Sequence, residues 1–211
     1  MSDVLLHKLS RGLDALGVEI NPRGKKTLVK YVLELEKWNS AYNLTAVREP
    51  EQMITRHILD SLSILPLLHG SQILDVGSGA GFPGLPLAVA EPDSFFTLLD
   101  SNGKKTRFLT QVVADLELEN IDIVQERVEK FHPTEKFDTL TSRAFSSLAE
   151  LVKAVKHLCA PGSRIIAMKG VFPESELKEL PKGFKVIGVE SLSVPDLDED
   201  RHAIIIERTS A

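Results

Sequence analysis

Glycines stand at alternate positions 77, 79 and 81, immediately after the apolar run Ile73-Leu74-Asp75-Val76, and Asp100 closes a second apolar run 23 residues beyond Gly77. That spacing dictates a buried strand, a tight turn, a helix and a second strand ending in an acid. Glycine lets the backbone turn sharply and come closer to a ligand than any side chain would allow. An acid after the second strand is placed to accept hydrogen bonds from a ribose. A chain built this way is α/β and carries a cofactor loop on its first strand.

From residue 71 onward short apolar strands alternate with helices. Strands are expected at Gln72–Val76, Phe95–Leu99, Ile121–Gln125, Thr139–Ser142 and Arg164–Met168. One helix between them carries Phe108, Leu109, Val112, Val113 and Leu116. Another begins at Ser147, with Glu150 three residues on as a capping box, and buries Leu148, Leu151, Val152, Val155 and Leu158. This order predicts a largely parallel, doubly wound sheet. Phe184–Leu192 and His202–Ile206 follow with no helical stripe between them, which predicts an antiparallel hairpin closing the sheet.

The first 70 residues are expected to be helical. Leu5, Leu6, Leu9, Leu13 and Leu16 form one stripe that Gly17 stops. Asn21 and Pro22 are a cap and a first-turn proline for a second helix bearing Leu28, Val32, Leu35 and Trp38. A third runs from Gln52 to Leu68 with Ile54, Ile58, Leu62 and Leu65 inward, and Pro66 ends or kinks it. Residues 1–70 are therefore expected to be a helical extension packed on a domain formed by 71–211. At 211 residues the chain suits one such α/β domain with an accessory segment.

A single cysteine excludes an intrachain disulfide framework and a cysteine-rich zinc site. The start lacks signal-peptide features and no apolar run approaches a membrane span, so a soluble, cytoplasmic protein is expected. A formal charge of −5 argues against indiscriminate nucleic-acid binding but leaves room for a local basic face. Arg23, Lys25, Lys26 and Lys30 cluster early, Lys104, Lys105 and Arg107 follow Asp100, and acid collects at Asp196, Asp198, Glu199 and Asp200.

A dinucleotide fingerprint needs a third glycine at position 82, where this chain has Phe82, and the Walker phosphate loop is absent. The G-x-G-x-G turn with an acid beyond strand two, together with the closing hairpin, suits S-adenosylmethionine, which has a ribose but no phosphate. Asp75 is placed either to fix the loop or to approach the cofactor's ammonium group. Val128-Glu129 follows strand three, where an apolar side chain would cover adenine; Glu129 fits a surface helix equally well.

The methyl acceptor is narrowed by what is missing. Carbon methylation of cytosine needs a cysteine nucleophile, and Cys159 lies after a helix and before Pro161, not at the end of strand four. No Asn/Asp-Pro-Pro-Tyr/Phe sequence follows strand four, which weakens amino methylation of adenine. A guanine N7 already has an in-plane lone pair and needs orientation rather than a base. Thr141-Ser142-Arg143-Ala144-Phe145 occupies the expected crevice. Arg143 is suited to donate to a base, a phosphate or the cofactor, or to form a structural ion pair. Phe145 fits a base stack or the core, and Lys169, at the end of strand five, fits a phosphate contact or a solvent-facing position.

The stretches KWNSAYNLTAVREP at 37–50, RHILDSL at 56–62, ILDVGSGAGFPGLPLA at 73–88, LLDSNGKKTRFL at 98–109, SRAF at 142–145 and MKG at 168–170 cover most of the chain in order. In them the sequence resembles the bacterial small-subunit ribosomal RNA methyltransferase family once called glucose-inhibited division protein B. The resemblance implies a Rossmann-like class I S-adenosylmethionine-dependent methyltransferase with a mixed seven-stranded sheet. It also implies methylation of N7 of guanine 527 in 16S rRNA. Cofactor contacts carried over fall on Gly77, Phe82 (often leucine in this family), Val128, Glu129 and Arg143. Asp75, Gly79, Gly81 and Asp100 join them from the residues themselves.

Arg143 and Lys169 are the candidates for the reacting centre, with Arg143 beside the reaction path. RNA contacts are expected from Arg48, Arg56, Lys104, Lys105 and Arg107, on free 16S rRNA or an assembling small subunit. Asn43, His57 and Asp60 belong to the same signature without an assigned role. His57 has no proton to remove before N7 attacks, so positioning or structural work is expected of it. It has no histidine or cysteine companions at zinc spacing, so no metal is expected. A monomer is expected. The rival readings are a small-molecule methyltransferase on the same cofactor loop and a noncatalytic RNA-binding protein.

Overall fold

The structure is a computed structural model and describes residues 1–143, 145 and 147–209. Seven strands form one sheet in the order β3-β2-β1-β4-β5-β7-β6. They are β1 (Gln72–Val76), β2 (Phe95–Leu99), β3 (Ile121–Val124), β4 (Phe137–Ser142), β5 (Cys159–Lys169), β6 (Phe184–Ser191) and β7 (His202–Arg208). The first five are mutually parallel, and β7 runs antiparallel to both β5 and β6. The expected mixed sheet with a closing hairpin is thus present. Its strand order reverses between β1 and β4, and such a switch point opens a crevice at the carboxyl ends of the strands.

Alternate strand residues face two cores. One face packs α5 (Gly84–Ala90) and α6 (Gly103–Asp115), and the other packs α7 (Leu148–Val155). The amino-terminal helices α1 (Ser2–Leu16) and α2 (Pro22–Tyr42) share the first of these cores. Tyr31 of α2 lies 5.4 Å from Phe82 and 6.4 Å from Phe108 of α6 between ring centroids. Asn21 caps α2 by accepting from the Gly24 amide at 2.8 Å, with Pro22 in the first turn. Gly17 ends α1 in the left-handed conformation.

Two segments differ most from the sequence expectation. The helix over Gln52–Leu68 is broken into α3 (Pro50–Met53), a π-helical segment (Ile54–Leu59), α4 (Asp60–Leu62) and a 3-10 turn (Leu65–Leu67) that contains Pro66. Proline denies that turn the amide an α-helix would use, so the helix stops before it. Strand β5 starts at Cys159, five residues early. Ser163 Oγ accepts from the Ala160 amide at 2.7 Å and donates to the Phe137 carbonyl at 2.6 Å, which holds the bend around Gly162 against β4. Helix α5 is the helix expected between the glycine turn and β2, although no apolar stripe marked its bounds.

Candidate functional site

The turn after β1 explains its three glycines. Gly77, Gly79 and Gly81 have φ of 72°, 63° and 104°, which L side chains rarely adopt. A Cβ on Gly81 would sit 2.8 Å from Tyr31 Oη and 2.9 Å from a Leu109 methyl, so this glycine is needed for close packing as well. A Cβ on Gly79 would meet nothing nearer than Lys105 Nζ at 3.7 Å, leaving that part of the loop open. The loop is tied to β2 by the Gly77 and Ser78 amides, both donating to the Leu99 carbonyl at 2.8 and 3.1 Å. Tyr31 Oη donates to the Ala80 carbonyl from the other side.

Asp75 sits beneath this turn, fully buried. Its carboxylate accepts from the Gly84 amide at 3.0 Å and from Thr141 Oγ1 at 3.2 Å. Burial pushes its pKa up to about 6, against the pull of those hydrogen bonds and of Arg143. Of the two roles open to Asp75, this geometry favours fixing the loop. Asp100 directly follows β2 and accepts from the Gly79 amide and the Asn102 amide, both at 2.8 Å. Val128, buried, and Glu129, exposed, lie on a 3-10 turn (Val128–Lys130) after β3. The expected cofactor residues thus follow strands β1, β2 and β3 in adjacent positions along one sheet edge. Open backbone over Gly79, an acid with acceptor capacity and a buried valine fit a ligand with a ribose and an apolar base.

A second feature adjoins the loop. Arg56, His57, Asp60, Arg143, Lys169 and Arg201 are among the residues that line a cleft of ≈ 360 Å³. Phe82 joins cleft and loop: His57 stacks on it at 4.5 Å, and the Arg143 guanidinium carbon lies 5.3 Å from its ring centre. Arg143 Nη1 donates to Asp60 Oδ2 at 3.0 Å and to the Arg56 carbonyl at 3.4 Å. Arg201 Nε donates to Asp60 Oδ1 at 3.0 Å. Glu199 accepts from Arg201 at 2.8 Å and pairs with Arg56 at 2.7 Å. Those two hydrogen bonds lower the Glu199 pKa.

His57 is neutral here. Its Nδ1 lies 3.0 Å from the Arg56 carbonyl, which only accepts, so Nδ1 carries the hydrogen and Nε2 accepts from Thr45 Oγ1 at 2.8 Å. Burial, reinforced by Arg143, lowers its pKa to about 4. Cys159 is inert: buried at the start of β5, with its pKa pushed up to about 12 by burial. Among the described residues no cluster of histidine, cysteine and carboxylate side chains could hold a metal ion.

The remaining expected residues are dispersed. Lys169 Nζ pairs with Glu176 at 3.2 Å and donates to the Phe145 carbonyl at 3.4 Å. Phe145 is half-buried against the second core, and Ala144 of the same motif lies outside the described residues. Arg48 is spent on the end of α2, donating to the Asn39 carbonyl and Asn43 Oδ1. Lys104 and Arg107 are exposed on α6, whereas Lys105 reaches back to the glycine loop. Arg201 was missed by sequence reasoning, and Asp60 was named there without a role. The one available signal was the acidic run around Glu199, which needs basic partners.

The family model described as rRNA small subunit methyltransferase G matches residues 24–205. The ribosomal RNA small subunit methyltransferase G of Stutzerimonas stutzeri is 49% identical over 212 residues, covering 100% of this chain and 99% of that protein. That of Pseudomonas aeruginosa is 50% identical over 214 residues, covering all of both. Among solved structures, M. jannaschii TYW2 in complex with AdoMet superposes with a TM-score of 0.56 at 12% identity, covering 72% of this chain and 76% of that one. A second structure, from Thermoplasma acidophilum, gives 0.56 at 15% identity, covering 67% and 70%. At these identities the structural likeness concerns the fold alone, a Rossmann-like methyltransferase sheet.

Proposed function

This chain belongs to the rRNA small subunit methyltransferase G family, and on that premise we propose that it methylates N7 of guanine 527 in 16S rRNA with S-adenosylmethionine as donor. The observation that carries this reading is the junction at Phe82: the loop suited to a ribose-bearing cofactor shares that ring with a cleft lined by arginines. When bound, the cofactor would supply a sulfonium methyl group to the N7 lone pair, the S–C electron pair staying on sulfur as the N–C bond forms, so this chain's residues would have no proton to move.

The protein's work is therefore orientation and electrostatics. The glycine turn and Asp100 would hold the ribose, and Val128 would cover the adenine. Arg143 would donate to an oxygen beside the reacting atoms and leave N7 unprotonated. Neutral His57 supports Phe82 and takes no proton. Exposed Lys104 and Arg107 would meet RNA phosphates. The base must be presented from a single-stranded or opened region, because A-form RNA hides its major-groove edge. Residues 1–70 act as an extension of the 71–211 domain, in a cytoplasmic monomer.

Labelled methyl transfer onto unmodified 16S rRNA and onto unmodified small subunits tests the proposal. The expected result is one methyl group mapped to N7 of guanine 527 in at least one of the two substrates. A methyl group reproducibly on another base, or transfer only to small molecules, overturns it.

A further inference from the structure

Asp60 is 2% exposed at its side chain and comes from α4 of the amino-terminal extension. Its two oxygens are divided between two guanidinium groups. Oδ1 holds Arg201, which comes just before β7, and Oδ2 holds Arg143, which follows β4. Arg201 is itself held by Glu199 at 2.8 Å and by the Asp200 carbonyl at 2.9 Å. The carboxylate plane is thus fixed by a side chain that is itself fixed. On the other oxygen, Arg143 Nη1 donates to Asp60 and to the Arg56 carbonyl. Among the described residues nothing hydrogen-bonds its Nε or Nη2, and the side chain is 30% exposed where it lines the cleft.

An arginine on a flexible stem loses its advantage as a rigid fork unless one edge is anchored. A donor misplaced by about 1 Å can cost a site about 100-fold in rate. We propose that Asp60 is the positioning residue of this site, its buried carboxylate setting the Arg143 fork over Phe82 so that the unspent donors face the reactants. Asp60 touches neither reactant and acts through Arg143. This inference rests on the methyltransferase reading given above. It adds that the helical extension supplies part of the reacting centre's geometry.

A double-mutant cycle decides between positioning and simple fold stability, since sites that act through one another are not additive. Wild type, Asp60→Asn, Arg143→Ala and the double variant are compared in two quantities. These are single-turnover transfer to unmodified rRNA and the dissociation constant of S-adenosylmethionine by calorimetry. Asp60→Asn is expected to lower transfer at least about tenfold when Arg143 is present and by less than about twofold when it is absent. If Asp60→Asn does not fold, Asp60→Glu takes its place, keeping the charge while displacing the guanidinium.

The same factor in both backgrounds, for both quantities, overturns the proposal, as does wild-type behaviour of the single Asp60 variant in both. A wild type that binds cofactor but transfers nothing to RNA counts against the RNA reading instead. The cofactor-affinity cycle then still decides the role of Asp60.

Discussion

Two buried titrating groups, His57 stacked on Phe82 and Asp75 beneath the glycine turn, oppose one another in acid, and replacing one should expose the other. His57 has its pKa lowered from 6.5 to about 4 by burial and by Arg143. As pH falls through 6.5 the unfolded chain takes up a proton that the native histidine refuses. The contribution of His57 therefore weakens by about 3 kcal/mol between pH 7 and pH 4. Asp75 does the reverse. Burial raises its pKa from 3.8 to about 6, so the native state binds a proton before the unfolded chain does. Acidification from pH 6 toward pH 4 adds about 2 kcal/mol. The two terms largely offset in the wild type. His57→Gln removes the first alone, and Asp75→Asn the second alone. Urea unfolding of all three proteins at pH 7, 6, 5 and 4 at constant ionic strength measures this, because each variant-minus-wild-type difference cancels every unchanged group. The His57→Gln difference should move in the variant's favour by about 3 kcal/mol from pH 7 to pH 4, and the Asp75→Asn difference against it by about 2. Differences constant to within about 1 kcal/mol across that range would refute the reasoning.

Gly81→Ala should destabilise the protein by at least about 1–3 kcal/mol from backbone strain alone and weaken cofactor binding. Gly162→Ala, also at positive φ but with no neighbour within 4 Å of its Cβ, should spare cofactor binding; thermal unfolding and calorimetry compare them. Lys104→Ala and Arg107→Ala should each reduce the salt slope of RNA binding by about 1 and leave cofactor affinity alone. Lys105→Ala should instead alter cofactor affinity, as its ammonium sits by Gly79; filter binding across a salt series and calorimetry separate the two effects. Glu199→Gln should release Arg56 from its 2.7 Å pair and steepen the salt dependence of RNA binding, and an unchanged slope would show that Arg56 makes no phosphate contact.

Strands β1 and β2 and the cap of α2 were legible to the residue, because short, mostly apolar runs and the Asn21-Pro22 pair leave little choice locally. Helix α5 was legible only from its place after the glycine turn, not from its own pattern. Its sequence Gly-Leu-Pro-Leu-Ala-Val-Ala has no polar side, so no amphipathic stripe marks it. The glycine turn was legible because positive φ is chemistry that only a few residues tolerate. The group around Asp60 was not. Arg143 is 83 residues away from it and Arg201 is 141, and an arginine bound to a buried carboxylate looks in sequence like any surface arginine. Only the fold, by bringing α4, the end of β4 and the start of β7 together, shows which charges are partners.

That convergence also explains how a chain of formal charge −5 can carry a cationic cleft. Arg56, Arg143, Lys169 and Arg201 lie around one opening and would repel one another if left alone. Three carboxylates offset them, at different depths. Asp60 is buried, where removing it would leave guanidinium charge without a partner, so it serves as a fixed anchor. Glu199 and Glu176 are on the more exposed rim, where an ion pair adds little and salt screens it. A polyanion arriving at the rim meets contacts that exchange at small cost, while the inner arginine keeps its orientation. Asp196, with Lys8 and Arg11 within 3.8 Å, spends another acid of the same run against α1. Two acids of the late run, Asp196 and Glu199, are thus spent on the protein's own cations, and total charge is a poor guide to the face that RNA would meet.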